Sequence, residues 1–497
     1  MDLMKLQNGS DIRGIALGAD ANLTPEAAML FARAFVKWLH KKADGKITVA
    51  IGTDSRLSGP ALKQACINGF TELGADVIDC GMASTPAMFM TTVTEGFLAD
   101  GAVMVTASHL PMNRNGLKFF TKEGGLEKTD ITDIIRFAEA NDFHKPAQKG
   151  QVQQKDFMSV YAGQLRDKII SSTGEDQPFA GMKIIVDAGN GAGGFYADKV
   201  LKPLGADTEG SQFLDPDGTF PNHIPNPEDS EAMESIVQAV KNTNADFGVI
   251  FDTDVDRAGA VDKGGVELSK NRLIAAISAI LIKEHPGTTI VTDSITSSGL
   301  AQFIAAHGGK HHRFKRGYKN VINESIRLNS EGVDSQIAIE TSGHAALKEN
   351  YFLDDGAYLV TRLLIEMANL RKEGKTIANL IADLAEPLES KEFRLNIKEE
   401  DFKAYGNTMI ENLTVYAEKQ SGWDIASDNH EGIRVSFGSE EGDGWFLVRL
   451  SLHDPLIPVN VESGSVGGVK KITEKLYAFL KSYDKLDLSP IQKFLGI

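Results

Sequence analysis

Three regularly spaced aspartates are the feature of this sequence that is best suited to chemistry. Residues 252–257 read Asp-Thr-Asp-Val-Asp-Arg and follow the apolar run FGVIF, which predicts a buried strand. Carboxylates at alternate positions of an extended chain lie on one face, and they repel one another unless a cation lies between them. Asp252, Asp254 and Asp256 therefore predict a site for a hard divalent cation. An EF-hand loop would need Gly and Glu where this chain has basic residues, so an acidic, solvated turn is the remaining alternative.

A serine followed by a histidine is the second candidate. Residues 103–120 read VMVTASHLPMNRNGLKFF, an apolar run that leads through Ser108 into a loop rich in Pro, Asn and Gly. Open α/β sheets bind ligands at the carboxyl ends of their strands, which is where this serine falls. His109 and Lys118 are then placed to move protons or to bind phosphate oxygens. A turn serine without a function is the alternative.

Two further segments carry groups that suit sugars and phosphates. Residues 340–344 read Glu-Thr-Ser-Gly-His and combine a carboxylate, hydroxyls and an imidazole, which are suitable partners for a polyol. Arg449 and Ser451 follow the predicted strand GWFLV, and a guanidinium beside a hydroxyl suits a phosphate group. The alternatives are a glycine turn in the first segment and a surface arginine on an edge strand in the second.

A glycine motif points to a different class of protein. Gly189, Gly191 and Gly194 follow the run KIIVD in the pattern G-x-G-x-x-G, with Glu209 further on, as in dinucleotide-binding folds. The run SQFLDPDGTF that comes next is a poor match to the following strand of such a unit. A nicotinamide-dependent oxidoreductase remains an alternative function, and a titration of cofactor fluorescence would test it.

Composition narrows the class of protein. The 497 residues are 42% hydrophobic and 24% charged, which is typical of a globular protein with about three or four domains. The 52 Lys and Arg against 68 Asp and Glu give a net charge of −16, which argues against a general binder of nucleic acids or anionic membranes. Two cysteines cannot form a disulfide scaffold, and no run of eighteen apolar residues occurs. We expect a soluble cytoplasmic protein, monomer or homodimer, that binds neither nucleic acid nor membrane.

A repeated order of elements must position these residues. Three times, a β-rich run is followed by a polar or glycine-rich turn and then by a helical pattern, which predicts βα units around a mainly parallel sheet. The β-rich runs are residues 47–55, 183–191 and 289–299, which carry Asp54, Asp187 and Asp293 near their ends. The repetition predicts three related α/β domains.

The C-terminal part of the chain follows a different pattern. The runs GIRVSF and GWFLVRLSL alternate like an antiparallel pair, and a helix is expected over 468–482. Breaks in the pattern fall at 144–155, 262–266 and 383–395. We therefore predict an α/β protein with three related α/β domains of mixed, mainly parallel sheets and a smaller C-terminal α+β domain. The predicted domains are residues 1–153, 154–263, 264–385 and 386–497.

Taken together, these segments resemble the α-D-phosphohexomutase family, in the right order over nearly the whole chain. The matching motifs are D-x-R-G at 11–14, G-x-D-x-R at 52–56, T-A-S-H-x-P at 106–111, D-x-D-x-D-R at 252–257, G-x-K at 317–319 and E-x-S-G-H at 340–344. Residues 217–228 also resemble family sequence, and the glycine run at 189–194 resembles a structural turn of the family's second domain. The resemblance implies that the domains surround a central cleft.

The resemblance also implies a reaction, in which a hexose 1-phosphate and a hexose 6-phosphate of mannose or glucose are interconverted. Ser108 would carry the transferable phosphoryl group, one Mg²⁺ would bind to Ser108 and the three aspartates, and a hexose 1,6-bisphosphate would be the intermediate and activator. The implied catalytic residues are Ser108, His109, Lys118, Arg13 and Arg257, with Lys118 ahead of His109 as general acid or base. The implied residues for the phosphosugar substrate are Lys319, Glu340, Ser342, His344, Arg449 and Ser451.

Two departures from the family pattern leave alternatives open. The family's phosphate loop reads R-P-S-G-T-E-P, but Leu452 and His453 replace its Gly and Thr, which removes backbone freedom and one hydroxyl. Thr341 stands where the phosphomannomutase/phosphoglucomutase branch often has Met and the phosphoglucosamine branch has Gln. A phosphoglucosamine mutase and a catalytically inactive relative that binds sugar phosphates are therefore the alternatives.

Overall fold

A computed structural model describes residues 2–451 and 454–497 of the chain. Its strands, in chain order, are β1 (Gln7–Asn8), β2 (Asp11–Ile15), β3 (Thr48–Thr53), β4 (Asp76–Met82), β5 (Gly101–Val105), β6 (Arg114–Thr121), β7 (Gly124–Gly125), β8 (Val152–Gln154), β9 (Ile184–Asp187), β10 (Phe247–Phe251), β11 (Ala258–Asp262), β12 (Val266–Leu268), β13 (Thr289–Asp293), β14 (Lys310–Phe314), β15 (Ile337–Ile339), β16 (Ala345–Leu347), β17 (Leu353–Asp354), β18 (Glu389–Asn396), β19 (Asp424–Ile425), β20 (Ile433–Phe437), β21 (Gly444–Val448) and β22 (Leu456–Ser463).

The α-helices alternate with these strands over most of the chain. In chain order they are α1 (Pro25–Leu39), α2 (Gly59–Glu72), α3 (Thr85–Met90), α4 (Lys128–Ala140), α5 (Phe157–Thr173), α6 (Ser230–Thr243), α7 (Lys270–Glu284), α8 (Ser298–Ala306), α9 (Tyr318–Ser330), α10 (Gly356–Arg371), α11 (Phe402–Ala417), α12 (Gly468–Leu480) and α13 (Ser489–Leu495). Within the described residues, no helix is long and apolar enough to cross a membrane.

The described chain forms two compact units. One unit contains the residues up to Ser269 together with Ser342–Leu380, and the other contains Lys270–Thr341 and the described part of Ile381–Ile497.

The first sheet of the first unit has the strand order β1-β2-β6-β5-β3-β4-β8, with β7 beside β6. Strand β3 is parallel to β4 and β5, whereas β6 is antiparallel to β2 and β5. Helices α1 and α2 contribute Phe31, Phe35 and Phe70 to the core below this sheet, and the Phe35 ring lies 4.9 Å from that of Phe119 on β6. Strand β5 is buried at every position, which suits its place inside the sheet.

Two of the predicted breaks in the sequence pattern contain or adjoin β-strands. Residues 144–155 are not simply a linker, because they contain β8, which pairs parallel with β4 at the edge of the first sheet. Residues 262–266 form the turn between β11 and β12, which are antiparallel. Strand β8 is short, polar and exposed, so it lacks the apolar alternation that would have indicated it in the sequence.

The second sheet of the first unit has the order β12-β11-β10-β9, in which β9 and β10 are parallel and the other pairs antiparallel. The predicted buried strand FGVIF is confirmed as β10, which is buried along its whole length. The helical pattern predicted after β9 is a π-helical segment at Tyr196–Leu201 followed by a 3-10 turn at Lys202–Leu204. The remaining strands of this unit, β16 and β17, form an antiparallel hairpin before α10.

The second unit contains a parallel set of strands and an antiparallel sheet. Strand β13 lies between β14 and β15 and is parallel to both. The C-terminal sheet has the order β18-β22-β21-β20-β19 and is antiparallel throughout. The antiparallel pair predicted from GIRVSF and GWFLVRLSL is therefore confirmed as β20 and β21, and the predicted last helix is confirmed as α12, with the short α13 beyond it. The predicted α/β fold with mixed sheets is confirmed.

Candidate active site

The hydroxyl of Ser108 lies between the carboxylate of Asp252 and the guanidinium of Arg257, just beyond the end of β5. The backbone amide of Ser108 donates to Thr106 Oγ1 at 2.9 Å, and its φ of 51° places it in the left-handed region that few side chains adopt. Its Oγ donates to Asp252 Oδ2 at 2.8 Å and accepts from Arg257 Nη2 at 3.3 Å. The serine is thus held in an unusual backbone conformation with its hydroxyl facing charged groups.

The three aspartates converge because the chain turns, and not because it is extended. Strand β10 ends at Phe251, and Val255, with a φ of 67°, lies within the turn that follows. One carboxylate oxygen from each of Asp252, Asp254 and Asp256 lies within 4.8 Å of the others. The sequence predicted this grouping from strand alternation, which is wrong in its geometry although the carboxylates do meet.

The acidic cluster fits a divalent cation. All three carboxylates are buried, and Asp254 Oδ1 and Asp256 Oδ1 have no hydrogen-bond partner among the described residues. Lys118 Nζ lies 3.5 Å from Asp254 Oδ2 and bonds to the carboxylate of Asp256. Burial and the charges of Asp256 and Asp254 raise the pKa of Asp252 well above its usual range. Buried anionic oxygens without partners are suitable ligands for a hard cation.

Arg257 is a buried guanidinium fixed on several sides. Its Nη2 and Nε lie 3.2 and 3.3 Å from Asp252 Oδ2, and its Nη1 donates to Asn226 Oδ1 at 3.0 Å. Glu228 adds a carboxylate 3.5 Å from Nη1. Asn226 and Glu228 were not among the predicted site residues, although the surrounding segment resembled family sequence. A guanidinium that is held in this way needs little rearrangement to bind a phosphoryl group.

The segment that leads from β5 into β6, residues 106–114, is called the serine loop. Of two other predicted catalytic residues, His109 belongs to this loop and Arg13 contacts it. Arg13 Nη1 donates to the carbonyl oxygen of Thr106 at 3.3 Å, and its Nη2 donates to Asp11 at 2.8 Å. His109 Nδ1 lies 2.6 Å from Arg257 Nη2. Burial and the charge of Arg257 lower the pKa of His109 to about 3. The imidazole is therefore neutral near pH 7 and accepts at Nδ1, which favours Lys118 as the group that carries a proton.

His344 approaches the acidic cluster through a close backbone contact. A Cβ atom at Gly343, whose φ is 92°, would lie 2.7 Å from the carbonyl oxygen of Ala258, so glycine is required there. His344 Nδ1 lies 2.5 Å from Asp354 Oδ2 and 4.0 Å from Asp256 Oδ1. Although burial opposes it, the charges of Asp354 and Asp256 raise the pKa of His344 to about 9. Asp354 was not predicted, because nothing in the sequence links it to a histidine ten residues earlier.

The glycine motif supports the acidic loop. A Cβ atom at Gly191 would lie 2.6 Å from the carbonyl oxygen of Thr253, and the amide of Ala192 donates to the same oxygen at 2.8 Å. The amide of Thr85 donates to the carbonyl oxygen of Asp254 at 2.8 Å, and its hydroxyl bonds to the Asp254 carboxylate. Gly191 thus allows close backbone packing against the acidic loop, as the resemblance to a structural turn implied.

Two predicted sugar-binding residues lie together in the second unit. Lys319 lies in the first turn of α9, and the amide of Gly317 just before it donates to Glu340 Oε1 at 2.6 Å. Thr341 is buried, and its hydroxyl donates to Asp293 Oδ2 at 2.7 Å. Thr341, the position at which the branches of the family differ, therefore bonds to Asp293 of the protein itself. Ser342, which is buried, belongs with His344 to the first unit.

The predicted phosphate loop follows β21 in the second unit. Burial lowers the pKa of Arg449, and the charge of Glu431 opposes this shift. Arg449 Nε has no hydrogen-bond partner among the described residues, and Ser451 Oγ accepts from the amide of Asp454 at 3.3 Å. Leu452 and His453, the departures from the family loop, lie outside the described residues. A half-buried guanidinium with an unpartnered Nε suits an anionic ligand.

Comparisons with known proteins agree with the fold and the motifs. Models of the phosphoglucomutase/phosphomannomutase α/β/α domains I, II and III match residues 4–145, 160–265 and 269–388. A phosphoglucomutase of Neisseria meningitidis (serogroup A) is 31% identical over 477 residues, which are 96% of this chain and 96% of that one. A phosphomannomutase/phosphoglucomutase of Pseudomonas aeruginosa (strain PAO1) is 31% identical over 477 residues, 95% of each chain.

A solved structure agrees as well. A phosphoglucomutase/phosphomannomutase family protein of Burkholderia thailandensis superposes with a TM-score of 0.80 at 28% identity and covers 97% of this chain and 98% of that one. The fold and the three matched domain models define a mutase of the phosphohexomutase class. The chain belongs to the phosphoglucomutase/phosphomannomutase family, whose members are mutases, that is, intramolecular phosphotransferases.

Proposed function

We propose that this chain interconverts a hexose 1-phosphate and the corresponding hexose 6-phosphate, with mannose, glucose or both as the sugar. The observation that carries the proposal is the Ser108 hydroxyl, 2.8 Å from the carboxylate of Asp252 and 3.3 Å from the guanidinium of Arg257. A serine so placed can carry a phosphoryl group beside a cation site and a positive side chain. The names of the Neisseria and Pseudomonas relatives support the choice of sugars.

In the proposed reaction, phosphorylated Ser108 gives its phosphoryl group to the free hydroxyl of the substrate. The resulting hexose 1,6-bisphosphate reverses its orientation in the site and then returns its other phosphoryl group to the serine. Transfer of this kind depends on positioning and charge neutralisation. Arg13 and Arg257 would hold the transferring group, and Lys118, ahead of His109, would be the general acid or base.

Asp252, Asp254 and Asp256, together with Ser108, would bind one Mg²⁺ per chain. When bound, the cation would neutralise negative charge on the phosphoryl oxygens. The buried oxygens of Asp254 and Asp256 that accept no hydrogen bond from the described residues support this assignment. The raised pKa of Asp252 means that a proton can occupy the cluster in place of the cation.

The remaining predicted residues would bind the sugar and its second phosphate. Glu340, Ser342 and His344 would contact hydroxyls that are similar in both orientations of the bisphosphate, and Lys319 would also bind the substrate. Arg449 and Ser451 would hold the phosphate that is not reacting, through charge-assisted hydrogen bonds.

Loss of the serine hydroxyl tests the proposal. Wild-type enzyme incubated with an excess of glucose 1,6-bisphosphate should gain the mass of one phosphoryl group, and Ser108→Ala should gain none and lose turnover. Ser171→Ala, which changes an exposed serine on α5, is the matched control and should behave as wild type. Retained mutase turnover in a folded Ser108→Ala protein would refute the assignment.

The sugar is tested by assaying mannose 1-phosphate, glucose 1-phosphate and glucosamine 1-phosphate side by side. Fastest turnover with glucosamine 1-phosphate would establish the phosphoglucosamine alternative. Binding without turnover of any of the three would establish an inactive sugar-phosphate-binding relative.

We also propose that the enzyme works in the cytoplasm as a monomer or homodimer. Cys66 and Cys80 are free, buried thiols, which suit a reducing compartment. Cell fractionation would test the location, and light scattering of the purified protein would measure its mass.

A further inference from the structure

A second buried arginine in the first unit lies beneath the serine loop. The side chain of Arg56 is 0% exposed. Its Nη1 donates to the carbonyl oxygens of Pro111 at 2.9 Å and Arg114 at 3.0 Å. Its Nη2 donates to the carbonyl oxygen of Leu110 at 2.5 Å and to that of Ser108. Four backbone carbonyls of one loop therefore converge on a single guanidinium.

The guanidinium is held in place from its other side. Asp54 Oδ1 accepts from the amide of Arg56 at 3.0 Å, and its Oδ2 lies 3.4 Å from Nε. The ring of Phe220, in the segment before α6, lies 5.2 Å from the guanidinium carbon. Burial raises the pKa of Asp54 to about 6 and lowers that of Arg56, and the charge of each residue opposes the shift of the other.

The bonds of Arg56 account for how Ser108 is held. The main chain of Ser108 has a φ of 51°, which costs free energy for a residue with a side chain. Arg56 binds the carbonyl oxygen of Ser108, while Asp252 binds its hydroxyl. The residue is thus fixed at its main chain from one side and at its side chain from the other.

We propose that Arg56, itself held by Asp54, is a positioning residue of the mutase reaction. It orients the loop from Ser108 to Arg114 so that the serine Oγ faces the cation ligands, and it contacts no substrate group. The inference rests on the proposed function. The G-x-D-x-R motif at 52–56, which contains both residues, then supports the serine loop.

The test compares Arg56→Lys with the wild-type enzyme. Lysine keeps the charge but lacks the planar fork that binds several carbonyls at once. We expect kcat for glucose 1-phosphate to fall roughly 10- to 100-fold, because small displacements of a reacting group have effects of this size. KM should stay the same, since the residues proposed to bind sugar and phosphate are untouched. Phosphorylation of Ser108 by glucose 1,6-bisphosphate should slow by the same factor as kcat.

Arg33→Lys is the matched control, because Arg33 lies in the same unit but pairs with Glu72 and not with the serine loop. A folded Arg56→Lys enzyme with the kcat of wild type would overturn the inference, and so would a loss confined to KM. Should Arg56→Lys fail to fold, Asp54→Asn keeps the guanidinium and removes its charged partner. This variant should show a smaller loss of kcat at unchanged KM, and a wild-type kcat would again overturn the inference. Absence of turnover by the wild-type enzyme with both glucose 1-phosphate and mannose 1-phosphate would instead overturn the proposed function.

Discussion

The Oγ atom of Ser108 lies 2.8 Å from Oδ2 of Asp252, although 144 positions separate the two residues in the chain. Ser108 follows β5 in one sheet, and Asp252 follows β10 in another. Both side chains lie just beyond the carboxyl ends of their strands, which is where α/β sheets present ligand-binding groups. The proposed phosphoryl transfer depends on this meeting, because the serine must lie beside the ligands of the cation.

Loss of one carboxylate charge should weaken cation binding. Asp254→Asn removes a charged ligand without changing the size of the side chain, so the affinity for Mn²⁺, measured by calorimetry, should fall about tenfold or more. Mutase turnover should fall with it by orders of magnitude. Asp207→Asn changes an exposed aspartate that pairs with Lys183 and should leave both quantities unchanged. Equal Mn²⁺ affinity in Asp254→Asn and wild type would refute the metal assignment.

Cation binding should weaken as the pH falls. Burial and two neighbouring carboxylates raise the pKa of Asp252, so at low pH this group holds a proton that the cation must displace. Affinity for Mn²⁺ should therefore already decrease on acidification above about pH 5, where an ordinary aspartate stays ionised. Calorimetry in two buffers of different ionisation enthalpy should show that binding releases protons. An affinity that is constant over this range would contradict the raised pKa.

Removal of Lys118 should separate turnover from cation binding. Lys118 Nζ lies 3.5 Å from Asp254 and bonds to Asp256, so Lys118→Met removes a positive charge from beside the cation ligands. Mn²⁺ should bind as tightly as before or more tightly, whereas kcat should fall roughly 10²- to 10⁴-fold if Lys118 is the general acid or base. Lys122→Met, at an exposed position after β6, is the control. Unchanged kcat in Lys118→Met would transfer the proton role to another group.

Truncation of Arg449 should weaken substrate binding. A charge-assisted hydrogen bond to phosphate is worth about 1.5–3 kcal/mol, so Arg449→Ala should raise KM roughly 10- to 100-fold. Arg394→Ala removes an exposed arginine that pairs with Glu392 on β18, and its KM should match wild type. Should Arg449→Ala keep the wild-type KM, the loop with Leu452 and His453 no longer binds phosphate.

Much of the fold and the acidic cluster after β10 were predictable from local patterns. The run FGVIF predicted the buried strand β10, and the three aspartates after it predicted an acidic cluster. The alternating C-terminal runs predicted the pair β20 and β21. These predictions succeed because apolar periodicity and turn residues act over a few neighbouring positions.

Other features had no local signal. The turn through Val255 was not predictable, because the spacing of the aspartates fits an extended chain equally well. Asp354 and Asn226 were not predicted, because their partners, His344 and Arg257, meet them only after folding. The role of Arg56 was also hidden, since its acceptors are backbone carbonyls, which every residue has.

Side-chain type and local periodicity are properties of short segments, so the order of the residues alone specifies which chemical groups are available and at the ends of which strands they stand. Which groups meet depends on folding, which joins Ser108 with Asp252, and Arg56 with the carbonyls of the serine loop. Those contacts join strands and loops that are distant in the chain, and their geometry depends on how sheets and loops pack around charges that must be neutralised once they are buried.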